Sequence, residues 1–275
     1  MPRSAPMMMS FPPFAGMVRK LILANVAIYF SILLLGWTAP GVASGLVNLG
    51  ALTPWMVLHG TLWQVVTYSF VHVGIWSILF NMLSLWFVGA YMEAIYGTRW
   101  ITELYFISVV GAALTTIAVS YTGVFHLTPY ATTWGAMGGV FGLLAAFGVL
   151  MGDQQFLLFP LPISIRAKYL VLIYLLIAVA GLMQGPGGFA YLAYLGGALF
   201  GFLYVKQAPR RGFAFAASER AFSVRNAYYR WKRKRAARKF QVYMRKHDRE
   251  GKSDAQGRYV APDKDRDPND RRWMH

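Results

Sequence analysis

The side chains of this sequence that could do nucleophilic chemistry are few. There are five histidines (His59, His72, His126, His247 and His275) and no cysteine. The absence of Cys removes disulfides, thiolate metal sites and a Cys nucleophile, and leaves the redox compartment open. Whether a histidine could activate a neighbouring hydroxyl depends on where the histidines fall. His247 and His275 fall in a charged tail, and His59 and His126 in loops, so His72 is the one histidine close to an apolar segment. Ser77 lies five residues on. On a continuous helix five residues turn about 500°, which places the two roughly 140° apart and facing different ways. Asn81 lies in the same apolar segment, where a buried amide is expected to bond across helices. No His/Asp/Glu constellation has metal-ligand spacing and no glycine loop suits a phosphate, so neither a metal nor a cofactor is expected.

The elements that must carry these residues are apolar. Of the 275 residues 56% are hydrophobic and only 14% charged, and the mean hydropathy is +0.41. A soluble domain carries about 25% charge. Six of the 27 Lys and Arg and three of the 11 Asp and Glu lie before Lys206. This excludes a soluble enzyme with a charged surface over those residues and implies a polytopic membrane protein with a basic tail.

A spanning helix needs about 20 apolar residues. Six stretches fit: Leu21 to Trp37, Val65 to Tyr91, Trp100 to Tyr121, Trp134 to Gly152, Ala167 to Met183 and Gly187 to Val205. The first is expected to be a span rather than a cleaved leader, since no small-residue cleavage site closes it. Arg3, Arg19, Lys20, Arg99, Arg166, Lys168 and the tail cations fall on one set of sides, and the loops after spans 1, 3 and 5 carry no Lys or Arg. Positive residues stay inside, so both termini are expected in the cytoplasm. Glu93 and Glu103 read as loop charges around Arg99, and the absence of a mid-span charge argues against a pump or ion-coupled transporter. The apolar loop Thr38 to Gln64, with Trp55 and Trp63, suits an interfacial, partly inserted element as well as it suits an exterior loop.

Two glycine strips mark close helix packing. One is Gly135, Gly138, Gly139 and Gly142, the other Gly196, Gly197 and Gly201. Spans 4 and 6 are therefore expected face to face. These strips also lie in patches that resemble the rhomboid family of intramembrane serine proteases. FVHVGIWSILFNMLSLWFVGAYMEAIYG resembles its second helix, GTRWITELYFISVVGA its following loop and third helix, WGAMGGVFGLLAAF its nucleophile helix and AYLAYLGGALFGFLY its sixth helix. The resemblance covers roughly Ala51 to Tyr204 and implies an all-α, six-helix rhomboid-type transmembrane bundle.

The resemblance also implies where catalytic residues would stand. Met137 occupies the position of the family's nucleophilic Ser, and Tyr194 that of its general-base His, with Tyr191 at the other His of the sixth-helix motif. His72 matches the first His of the second-helix motif, Ser77 replaces the second, which helps bind the oxyanion, and Asn81 is kept. A thioether has no proton to lose, and a phenol with a reference pKa of about 10 is a poor base near neutrality. Met137 and Tyr194 are thus degenerate catalytic positions, or plain core packing. His72, Ser77 and Asn81 form a vestigial oxyanion region, in which Asn81 reads first as a structural residue. The function this implies is a non-proteolytic pseudoprotease that binds transmembrane segments of client proteins. The alternatives are an active serine endopeptidase with a non-standard site and a structural membrane assembly subunit.

The chain divides into a cytoplasmic segment 1–20, a membrane domain 21–206, a basic helical tail 207–250 and a flexible charged end 251–275. In the tail, Phe222, Tyr229, Phe240 and Tyr243 recur at helical spacing among Arg230, Lys232, Arg233, Lys234, Arg235, Arg238 and Lys239. Such a segment is expected to lie on an anionic leaflet, and no nucleic-acid motif accompanies it. A reporter fused after His275 should be active only on the cytoplasmic side; activity on the far side would contradict the even span count.

Overall fold

The computed structural model describes residues 12–124, 127–158, 163–184 and 188–207, together with 226, 229–233, 252–253, 255–257 and 259–260. It divides into two compact units, Met1–Phe213 and Ala214–His275. The first unit is mostly helical. Its long apolar helices are α1 (Gly16–Thr38), the run from α5 (Ile75–Ser84) through a π-helical stretch Leu85–Ala90 into α6 (Tyr91–Tyr96), α7 (Thr98–Ser120) and α10 (Phe189–Gln207). These four are long and apolar enough to cross a membrane. Two shorter apolar helices, α8 (Met137–Leu150) and α9 (Ala167–Leu182), complete the bundle. Between α1 and α5 lie α2 (Pro40–Gly50), α3 (Pro54–Leu58) and α4 (Gln64–Thr67), the last running into a 3₁₀ turn at Tyr68–Phe70.

The second apolar stretch departs from the sequence reading. It is broken at 71–74, with Gly74 at φ +88°, and the spanning helix starts at Ile75 rather than Val65. His72 therefore stands on extended chain, and the helical-wheel separation of His72 from Ser77 does not hold. A second departure is an antiparallel hairpin after α8, β1 (Gln155–Leu158) with β2 (Ile163–Arg166), in register Gln155↔Arg166 to Leu158↔Ile163. The all-α reading contained no strand.

Packing centres on α8. Ten of its residues, Gly138 to Phe147, are buried without a break, because α7, α9 and α10 surround it. Glycine makes this possible. A Cβ on Gly197 would run into the carbonyl oxygen of Gly138, and one on Gly201 would lie 2.5 Å from that of Gly142. A Cβ on Gly139 would strike the Tyr105 ring, and one on Gly142 the Ser108 side chain. Close backbone approach of this kind lets van der Waals contact do what the hydrophobic effect cannot between helices in lipid.

Polar groups fasten the ends of the bundle. Glu93 is buried, and its Oε1 and Oε2 accept the Met17 and Val18 N–H groups at 2.7 and 2.9 Å. A carboxylate on the first free N–H groups of a helix satisfies orphan donors and opposes the helix dipole. Gly16, at φ +66°, leaves the room, since a Cβ there would strike that carboxylate. Glu93 is thus a helix cap, not the loop charge expected from sequence. Glu103 accepts from Arg99 Nε at 3.3 Å and from the Tyr204 hydroxyl at 3.0 Å, tying α7 to α10.

In the second unit, 229–233 are helical and Lys252–Ser253 pairs with Tyr259–Val260 across Gly257. The rest of the expected tail helix, with Lys234, Arg235, Arg238 and Lys239, lies outside the described residues.

Gly197→Ala should destabilise the bundle by about 1–3 kcal/mol, the usual cost of overpacking. Gly45→Ala, whose Cβ meets nothing within 4 Å, should be neutral or stabilising by up to about 1 kcal/mol. Unfolding in detergent followed by circular dichroism compares the two.

Candidate functional site

A hydrogen-bonded frame sets the approach to α8. Leu52 and Thr133 exchange both backbone bonds at 2.9 Å, Trp55 N–H donates to the Pro129 carbonyl at 2.9 Å, and Gly135 N–H donates to that of Tyr68 at 2.9 Å. The fully buried Gln64 braces the same frame. Its Oε1 accepts from Thr53 N–H at 3.1 Å, and its Nε2 donates to the Asn48 and Leu49 carbonyls at 3.2 and 3.3 Å. The Tyr68 hydroxyl donates to the Val109 carbonyl of α7 at 2.9 Å. Sequence reasoning missed Gln64 and Tyr68. The usable signal was a lone amide, Gln64, between Trp63 and Val65.

The frame delivers the chain to a turn at Gly135, φ +104°, from which Ala136 leads into α8 with Met137 as its first residue. The turn meets the second apolar helix. Ala136 N–H donates to His72 Nε2 at 3.4 Å, and a Cβ on Gly135 would lie 3.6 Å from Asn81 Oδ1 and 4.0 Å from His72 Nε2. His72 is 1% exposed and Asn81 5%. His72, Asn81 and the Gly135–Ala136 backbone thus share one spot. Asn81 does not bond across helices as expected. Its Nδ2 donates to the Ser77 carbonyl at 2.7 Å within its own helix, and among the described residues its buried Oδ1 accepts no hydrogen bond of good geometry. Ser77 enters the arrangement through that carbonyl; its side chain is half-buried.

Tyr194 belongs to a different group, an aromatic one. Its ring stacks on Phe141 of α8 (5.0 Å, 23°) and meets Tyr191 edge-on at 5.3 Å. Phe141 also touches Tyr174 of α9 edge-on at 6.3 Å. Met137 and Tyr194 are both half-buried against the main core. Stacked rings and a thioether supply packing; neither is a nucleophile or a base at neutral pH. Among the described residues no group of three His, Asp or Glu side chains comes together that could hold a metal ion.

His72 lies outside the spanning helix. Burial lowers its imidazole from the ordinary value, against the Phe70 carbonyl and the nearby Asn81 amide, which act in the opposite sense. The fold therefore favours the neutral ring. The unfolded chain binds the extra proton below about pH 6.5, so this contribution to stability is complete above that pH and lost as pH falls through the lower folded value. The unfolding midpoint should drop on acidification in this window, and His72→Asn should flatten the slope; parallel curves for the two proteins would refute the assignment.

The sequence matches the rhomboid domain over residues 59–209. It is 31% identical to Rhomboid protein 1, mitochondrial, of Saccharomyces cerevisiae over 50% of this chain and 39% of that protein. It is 27% identical to Rhomboid-like protein 19 of Arabidopsis thaliana over 54% of this chain and 49% of the relative. To Rhomboid protease AarA of Providencia stuartii it is 29% identical, over 66% of this chain and 69% of the relative. The chain spans less than half the length of the first two of these. The matched stretch opens at the end of α3 and takes in the Gly135 turn, the glycine-packed helices α8 and α10 and the His72–Asn81 contact. With that domain over more than half its length, this multi-pass membrane protein belongs to the rhomboid family.

Proposed function

We propose that the protein is a non-proteolytic rhomboid, a pseudoprotease that binds transmembrane segments of client proteins. The observation that carries the reading is the side chain at each end of the catalytic pair. Met137 starts α8 at the position the resemblance gives to the family's nucleophile, and the Tyr194 ring, at the position it gives to the base, is stacked on Phe141. Losing either member of such a pair removes most of the rate in a serine hydrolase, and this chain lacks both. A hydrogen-bonded frame is nonetheless built around the site, which supports a role in binding rather than in hydrolysis.

The reading includes a membrane domain of six spans, with α8 and α9 counted alongside the four longer helices, and both termini in the cytoplasm. At 14 residues α8 is about 21 Å long, short of the roughly 30 Å hydrocarbon. Its buried flanks support the count, because irregular backbone is tolerated at membrane depth where protein covers it. The basic tail is proposed to rest on the anionic leaflet of that side. The relatives named as proteases favour a second reading, an active endopeptidase with another residue set.

The purified protein should not cleave a transmembrane substrate or react with a fluorophosphonate probe. Met137→Ser alone should remain silent, since a serine without a base stays protonated. Adding Tyr194→His should give trace cleavage, and adding Ser77→His should raise it by supplying an oxyanion donor, a contribution of about 2.7–4 kcal/mol in soluble serine proteases. Robust cleavage by the unaltered chain, lost in Ser77→Ala or His72→Ala, would establish the second reading instead.

A further inference from the structure

Two adjoining concavities open where α8 ends, α9 begins and α10 ends, away from the His72–Asn81 contact. One, of about 470 Å³, is walled by Gly148–Gln154 and Lys168. The other, of about 360 Å³, is an apolar groove between α8, α9 and α10. Ala145, Gly148, Val171 and Ala198 are among the residues that line it, and the half-exposed Leu172 and Leu199 flank them. Lys168 lines both. Phe202, at the groove's wall, carries the Lys206 ammonium 4.7 Å above its ring. Arg166, exposed, lies two residues before Lys168. The paired cavities are therefore apolar on one side and polar on the other, with Lys168 where they meet and Lys206 beside the groove at Phe202.

The geometry points to a binding site for an anionic glycerophospholipid of the surrounding bilayer. An acyl chain fills the groove between α8, α9 and α10, and the phosphate sits on Lys168 and Lys206. Charge complementarity selects this occupant. A transmembrane helix would need no cations at the mouth, and free phosphate would need no groove. Apolar side chains exposed on a helix bundle mark a surface meant to be covered, and basic residues at the edge of the hydrocarbon are where anionic headgroups are met. One carboxylate competes. Asp153 holds Lys168 Nζ at 2.7 Å, but Asp153 is 87% exposed. A solvent-exposed pair of this kind is weak, so the carboxylate can turn to water when a phosphate replaces it.

The test is native mass spectrometry of the full chain released from detergent, titrated with dioleoylphosphatidylglycerol or dioleoylphosphatidylcholine. The anionic lipid should be retained in preference. Lys168→Ala with Lys206→Ala should weaken its binding about tenfold or more, and Asp153→Asn should tighten it. Leu199→Trp, which fills the groove from an exposed position and leaves every charge in place, should weaken it too. The thermal midpoints of the variants in plain detergent should match the wild type, which separates lost binding from lost fold. Retention of the anionic lipid unchanged in both the double variant and Leu199→Trp would overturn the proposal and assign the binding to the basic tail. So would competition by inorganic phosphate at the lipid's concentration, which would make the site one for a free anion.

Discussion

Everything in the membrane unit leans on one contact, the backbone of α10 against the backbone of α8. Gly197 and Gly201 rest on the carbonyls of Gly138 and Gly142, with no side chain between them. Apolar helices gain nothing from leaving water when both environments are hydrocarbon, so their association rests on the density of contact. Once that seam is set, α7 can press Tyr105 and Ser108 against Gly139 and Gly142 from the other flank. The aromatic layer of Phe141, Tyr174, Tyr191 and Tyr194 fills what remains toward α9. The positions of Met137 and Tyr194 follow from this seam, whatever chemistry those side chains do or do not support.

The frame before α8 is polar where the seam is apolar, and the two are complementary. Gln64 and the Leu52–Thr133 bridge close the backbone of a segment that has no regular structure of its own. Buried irregular chain must satisfy its own donors and acceptors. The frame meets that demand and aims the Gly135 turn at His72 and Asn81. A conformation with φ +104° is costly for any residue with a Cβ. The turn, the histidine and the amide are thus held together by backbone geometry, and this arrangement does not require a serine at 137.

How much of this was legible in sequence depended on the range of each interaction. The glycine strips were legible because close packing of helices asks for small residues at fixed spacing; Gly138, Gly142, Gly197 and Gly201 meet at the α8–α10 seam, while Gly139 and Gly196 face α7 and Gly135 forms the turn before α8. Long spans were legible as runs of apolar residues. His72 was placed on a helix because the run from Val65 is unbroken in hydropathy, whereas the break at 71–74 turns on the backbone of Gly74. Glu93 was read as a loop charge because its partners, the N–H groups of Met17 and Val18, are more than seventy residues away and carry no side-chain signature. The same holds for Gln64, whose N–H and carbonyl partners are backbone groups of Thr53, Asn48 and Leu49. Asn81 was assigned a partner on another helix, and its amide nitrogen found one a single turn back on its own.

The Glu93 cap has a mechanical consequence. Only 22% of the apolar window of α1 is buried, against 56% for α7. Two short hydrogen bonds to a buried carboxylate, with the Val18 side chain against Gly89 beside them, fix the helix at its start. Toward its other end Leu34 and Trp37 are largely exposed. The grip of the bundle on α1 is therefore graded along its length. Buried Val18, Leu21, Ile22, Asn25 and Tyr29 hold the stretch next to the cap, and beyond them the helix turns its apolar side chains outward up to the one-residue joint at Ala39 that leads into α2.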